Sequence, residues 1–97
     1  MADVRTLMDQ VAEATRKHGH SEDPKVILLF LLEELGEVAR AYLKEEGHKE
    51  KNDRITETFR QEMGDVFYLI LRLAEMTNTD LESEFAKTLK KLERASK

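Results

Sequence analysis

The sequence predicts an all-α fold, a four-helix bundle-like protomer assembled into a helical homo-oligomer. One proline and four glycines in 97 residues leave few places to turn. The strict alternation that marks a half-buried strand is absent, and apolar residues recur instead at i, i+3 and i+4, the spacing of one helix face. Charged residues make up 37% of the chain against roughly 25% in ordinary globular proteins, but 40% is hydrophobic, which keeps the chain out of the disordered class. A length of 97 residues fits one domain, 1–97.

Helix 1 is expected from Asp3 to Lys17, with Val4, Leu7, Met8, Val11, Ala12 and Thr15 forming one stripe, ending at the His18-Gly19-His20 turn. Helix 2 opens with Asp23 as N-cap and Pro24 at the first helical position, where a missing N–H costs nothing. It runs to Glu46, and Gly47 stops it. The polar stretch 47–52 reads as a loop. Asp53 then caps helix 3, which runs to Met76 through Ile55, Phe59, Met63, Val66, Phe67, Ile70, Leu73 and Ala74. A tight Thr77-Asn78 link follows. Thr79 with Glu82 gives a capping-box spacing that opens helix 4, whose Leu81, Phe85, Leu89 and Leu92 form a narrow apolar seam ending near Ala95. Helices 2 and 3 are apolar around more than half of their circumference, more than one small layer covers, so a homodimer or homotetramer is expected.

Several functional classes are excluded at this level. The net charge is −4, and no basic run exceeds Lys90-Lys91, so a surface that tracks long nucleic acid is not expected. With no cysteine there are no disulfides, thiolate zinc sites or cysteine nucleophiles. The longest apolar run, Val26 to Leu32, is seven residues, far short of the roughly 20 that a membrane helix needs. No apolar signal segment follows Met1, and a cytoplasmic protein is expected.

The informative feature is a near-repeat. Glu34-Leu35-Gly36-Glu37-Val38 lies in helix 2 and Glu62-Met63-Gly64-Asp65-Val66 in helix 3. Residues three apart are neighbours on one helix face, so each helix offers a convergent pair of carboxylates. At about 100° per residue, Glu34 falls among Ile27, Phe30, Val38 and Ala41, and Glu62 among Ile55, Val66, Leu69 and Leu73. Carboxylates in apolar surroundings become protonated or need a cation, and four together repel. Acidic pairs on solvated faces arise readily in so charged a chain, and Glu13, Glu45, Glu50 and Glu57 are read that way. Two pairs at matching angles on the two most apolar helices are a different matter. Oxygen-only donors favour Mg²⁺, with Mn²⁺ as a substitute, over zinc, copper or haem iron. A di-iron bundle would call for Glu-x-x-His pairs, and His18, His20 and His48 all fall in expected turns or loops. The mid-helix glycines Gly36 and Gly64 each cost about 1 kcal/mol against alanine and suggest a closely packed neighbouring backbone. Of the aromatics Phe30, Tyr42, Phe59, Phe67, Tyr68 and Phe85, most sit on core stripes.

Glu33-Glu34-x-x-Glu37, a gap of 24 residues and Glu62-x-x-Asp65 together resemble the EExxE…ExxD signature of MazG-type all-α nucleoside triphosphate pyrophosphohydrolases. The resemblance covers nearly the whole chain. It implies Mg²⁺-dependent hydrolysis of a nucleoside triphosphate to the monophosphate and pyrophosphate, with Glu34, Glu37, Glu62 and Asp65 as metal ligands. In that chemistry the cation neutralises phosphate charge and acidifies the attacking water. Glu33, one residue off the ligand face, would orient or deprotonate that water. Members of this family also tend to carry Lys-x-x-x-Asn-x-x-Arg on the last helix. Lys87, Lys91 and Arg94 fall at those spacings and would bind phosphate, although Lys91 stands where asparagine is usual. Basic residues near a helix C-terminus also complement the helix dipole without any ligand. Nucleotide-pool housecleaning is the role implied. Two other readings stay open: a phosphoribosyl-ATP pyrophosphohydrolase, which shares the acidic clusters, and a non-catalytic helical dimer that binds nucleotide.

Overall fold

The computed structural model describes residues 3–18, 23–47 and 58–95. Four α-helices occupy them: α1 (Val4–His18), α2 (Pro24–Glu45), α3 (Phe59–Met76) and α4 (Leu81–Ala95). No strand occurs among the described residues, so the all-α class holds.

The helix ends follow local side-chain chemistry. Asp3 lies outside α1 as its cap, accepting the Thr6 amide at 2.8 Å. Asp23 accepts the Lys25 amide at 3.0 Å, with Pro24 opening α2 as the sequence indicates. Gly47, at φ 75°, stops α2 in a backbone conformation that side chains disfavour. α3 is opened by Thr58, whose Oγ1 accepts the Gln61 amide at 3.1 Å while Gln61 Oε1 accepts the Thr58 amide at 3.4 Å. That is a reciprocal capping box. Asp53 and Ile55, assigned from sequence to the start of this helix, lie outside the described residues, as do His20, His48, Glu50 and Glu57.

α3 ends in a Schellman motif. Thr79 donates its amide to Ala74 O at 2.8 Å and Asn78 to Glu75 O at 3.3 Å, with Asn78 in the left-handed region at φ 54°. Asparagine tolerates that region better than other side-chain-bearing residues. The cap of α4 is Asp80, not Thr79: Asp80 Oδ1 accepts the Ser83 amide at 3.2 Å, while Thr79 Oγ1 lies 2.8 Å from Thr77 Oγ1. The Asp80 carboxylate, one residue nearer the helix, takes the exposed amide. His18 is the last residue of α1 rather than part of a turn.

The chain forms two compact units. One holds α2 and α3 as far as Ile70. Within it Glu45 Oε2 accepts the Phe59 amide at 2.6 Å, and the Tyr42 and Phe59 rings meet edge to face at 5.1 Å. Further along, Glu34 approaches Glu62. Residue numbers fall on one helix as they rise on the other, so the two run antiparallel. Among its described residues, Ile27, Ala41 and Leu69 are the buried apolar ones. The other unit holds α1, the end of α3 from Leu71, and α4, with Val11, Leu71 and Ala74 buried.

Much of the apolar surface is uncovered on the protomer. Leu28, Leu29, Leu32 and Leu35 of α2 are exposed. The expected seam of α4 is also not a buried one, since Phe85, Leu89 and Leu92 are exposed and only Leu81 is partly covered. Most of the six aromatics are expected on core stripes, but Phe30, Tyr42, Phe67 and Phe85 are each about half exposed. One small protomer does not supply enough neighbours for helices that are apolar over so wide an arc.

Candidate metal centre

The near-repeat on α2 and α3 assembles into one place. Carboxylate oxygens of Glu34, Glu62 and Asp65 all lie within 4.8 Å of one another. Glu37 stands beside them, close enough for its charge to act on both Glu34 and Glu62. The i, i+3 spacing puts each pair on one face, and antiparallel packing turns the two faces together. Ile27 and Ala41, buried on the α2 side, and Leu69 on the α3 side supply the apolar surroundings expected of this face.

Burial differs among the four. Glu62 is 4% exposed, Glu34, Glu37 and Asp65 are half-buried. Loss of water pushes the Glu62 carboxyl up to about 7, helped by its hydrogen bond with Glu34 and by the negative charges of Glu37 and Glu34. Glu34 is also raised, again chiefly by lost hydration, with Glu37 and Asp65 adding repulsion. The hydrogen bond with Glu62 acts the other way on Glu34, so the two carboxyls titrate as a pair. Oε2 of Glu34 and Oε2 of Glu62 are both buried with no hydrogen-bond partner. Converging carboxylates, two of them with an unpartnered buried oxygen, suit a hard divalent cation, which would remove the repulsion and satisfy the bare oxygens.

The remaining candidates are placed differently. Glu33 is exposed, about 100° around α2 from Glu34. Lys87, Lys91 and Arg94 are exposed on α4, in the other compact unit. Lys87 Nζ donates to Glu84 Oε2 at 3.1 Å, and Arg94 Nε to the Lys90 carbonyl at 3.5 Å. The close backbone expected at the two glycines is not there. A Cβ on Gly64 would meet nothing within 4 Å, and one on Gly36 would meet only the flexible Arg40 side chain, at 3.4 Å. Gly64 therefore borders open space, and Gly36 borders the Arg40 side chain.

Two features escape sequence reasoning. Glu45, read as a solvated glutamate, accepts the first amide of α3, and so ties the end of α2 to the start of the helix that bears Glu62 and Asp65. Arg72 of α3 is 3% exposed. No local spacing rule marks either one.

A family model described as MazG nucleotide pyrophosphohydrolase domain matches residues 22–97, which include all four carboxylates and α4. No curated protein and no solved structure matches the chain. No helix among the described residues is long and apolar enough to cross a membrane.

Proposed function

Because the chain belongs to the MazG nucleotide pyrophosphohydrolase domain family, we propose that residues 1–97 form a single domain that hydrolyses a nucleoside triphosphate, ribo or deoxyribo, to the monophosphate and pyrophosphate. The observation that carries this reading is the convergence of Glu34, Glu62 and Asp65 within 4.8 Å, with bare buried oxygens on two of them. Glu34, Glu37, Glu62 and Asp65 would hold Mg²⁺, or Mn²⁺ in its place, and the ion when bound supplies charge neutralisation at the phosphates and an acidified water.

The chain's own residues do the rest. In the overall step, water oxygen bonds to phosphorus, the anhydride bond between the α and β phosphates breaks, and pyrophosphate leaves. Glu33 reaches solvent beside the acidic cluster and accepts the proton of that water or orients it. Lys87, Lys91 and Arg94 supply positive charge for the triphosphate. The exposed apolar faces of α2 and α4 support a homodimer or homotetramer, and a cytoplasmic role in cleaning the nucleotide pool fits the activity.

The test is product analysis with a panel of canonical and modified nucleoside triphosphates, with Mg²⁺, with Mn²⁺ and with chelator. Metal-dependent monophosphate and pyrophosphate, lost in Glu34→Gln, are expected. Turnover of phosphoribosyl-ATP alone would reassign the substrate. Nucleotide binding without turnover of any of these would replace the enzyme reading with a binding module.

A further inference from the structure

Arg72 lies near the end of α3, in the unit formed with α1 and α4, and is only 3% exposed. Its Nε and Nη2 are both buried without a hydrogen-bond partner. Arginine stays protonated in proteins, so this is a buried cation, and a buried cation left unpaired is among the costliest arrangements a fold can contain. Glu75 stands one turn further along the helix, yet no ion pair between it and Arg72 forms among the described residues. The same unit holds a second orphaned polar atom, the buried Thr15 Oγ1 of α1.

The two bare nitrogens are not an arbitrary pair. Nε–H and Nη2–H point the same way along one edge of the guanidinium plane, and that edge accepts two oxygens of one oxyanion side by side. A helix of another chain cannot reach donors already closed to water without dismantling the packing around them. A small oxyanion is the smallest group that supplies both acceptors at once.

We propose that Arg72 is the anchor of a buried oxyanion site, which takes a small phosphate-class anion on the Nε and Nη2 edge of its guanidinium. The site stands on its own observations and does not depend on the hydrolytic reading above.

Inorganic phosphate and pyrophosphate serve as probes, added to the full chain in chelator with chloride at equal ionic strength as control. Without metal or nucleotide, the outcome is independent of turnover. Either anion should raise the Tm of the wild type by several degrees, and it should shift the protected Arg72 Nε–H signal in NMR. Arg72→Met, which keeps the stem and removes the charge, should lose the Tm response. Arg72→Lys, which keeps the charge without the planar edge, should retain only a fraction of it. A Tm response equal in Arg72→Met and wild type would overturn the proposal. So would an Nε–H signal that neither anion moves, a readout that does not depend on the variants folding. A loss of oligomer in Arg72→Met, with the anion response intact, would assign the counter-charge to a second copy of the chain and equally overturn it.

Discussion

Glu34 and Glu62 face each other from antiparallel helices, with carboxylate oxygens within 4.8 Å and one bare buried oxygen on each. Both carboxyls are pushed up by loss of water, and Glu62 holds its proton to about 7. The metal-free fold therefore stores electrostatic strain in the place where a divalent cation would relieve it.

The first prediction concerns pH. In the unfolded chain a glutamate releases its proton near 4.5, whereas folded Glu62 keeps it to about 7. Between those values the folded state binds more protons than the unfolded state, so stability falls as pH rises through this window. Chelated protein should have a higher urea midpoint at pH 5 than at pH 8, by an amount corresponding to at most about 3 kcal/mol. A midpoint that is flat, or that rises over this interval, would remove the basis for a pre-formed acidic cluster.

Glu62→Gln removes the charge and preserves the shape. At pH 8 in chelator this variant should unfold later than the wild type, by about 1–2 kcal/mol, because a buried charge beside like charges has been deleted. Added Mg²⁺ should raise the Tm of the wild type and leave the variant's nearly unchanged. If the variant instead unfolds earlier in chelator, Glu62 has a structural partner.

Glu45 accepts the first amide of α3 at 2.6 Å, and its charge sits at the positive end of that helix. Glu45→Ala should cost about 1 kcal/mol in urea unfolding. Hydrogen exchange should speed up first in the opening turn of α3, from Phe59. A loss spread evenly over all four helices would show that this contact is not a local cap.

Asn78 occupies the left-handed position of the turn between α3 and α4. Asn78→Ala should destabilise by about 1 kcal/mol, and Asn78→Gly should be neutral or slightly stabilising. Equal melting temperatures for the two variants would contradict a left-handed requirement here.

The α4 face of Phe85, Leu89 and Leu92 is exposed on the protomer. With a homo-oligomer built on it, Leu89→Glu should lower the mass measured by light scattering while helicity by circular dichroism stays unchanged. An unchanged mass would place the interface elsewhere, with Leu28, Leu29 and Leu32 of α2 next in line.

The carboxylate cluster was legible because a three-residue spacing repeats at the same angle on two helices, and periodicity alone carries that information from sequence to surface. The caps of α1, α2 and α4 were legible to within a residue. Thr79 and Asp80 both make acceptable caps, and only the backbone decides between them. At α3 the sequence offers Asp53, which lies outside the described residues, while Thr58 and Gln61 make the cap found there. Glu45 was not legible, because its partner amide is fourteen residues away and a glutamate on a charged helix reads as solvated. Arg72 was hidden for a related reason: arginine is rarely buried whole, and no local pattern marks the exception. The apolar stripe of α4 shows a further boundary, since periodicity reveals that a face wants covering and says nothing of whether the same chain covers it.

Glu34, Glu37, Glu62 and Asp65 are proposed to hold a divalent cation. Calorimetric titration of the chelator-stripped protein with Mn²⁺, at pH 6 and pH 8 in two buffers of different ionisation heat, tests it most directly. Saturable binding is expected that is tighter at pH 8, releases protons at pH 6 as Glu62 gives up its own, and disappears in Glu62→Gln and Asp65→Asn. Binding that is unchanged in both variants, or no binding at either pH, would contradict it.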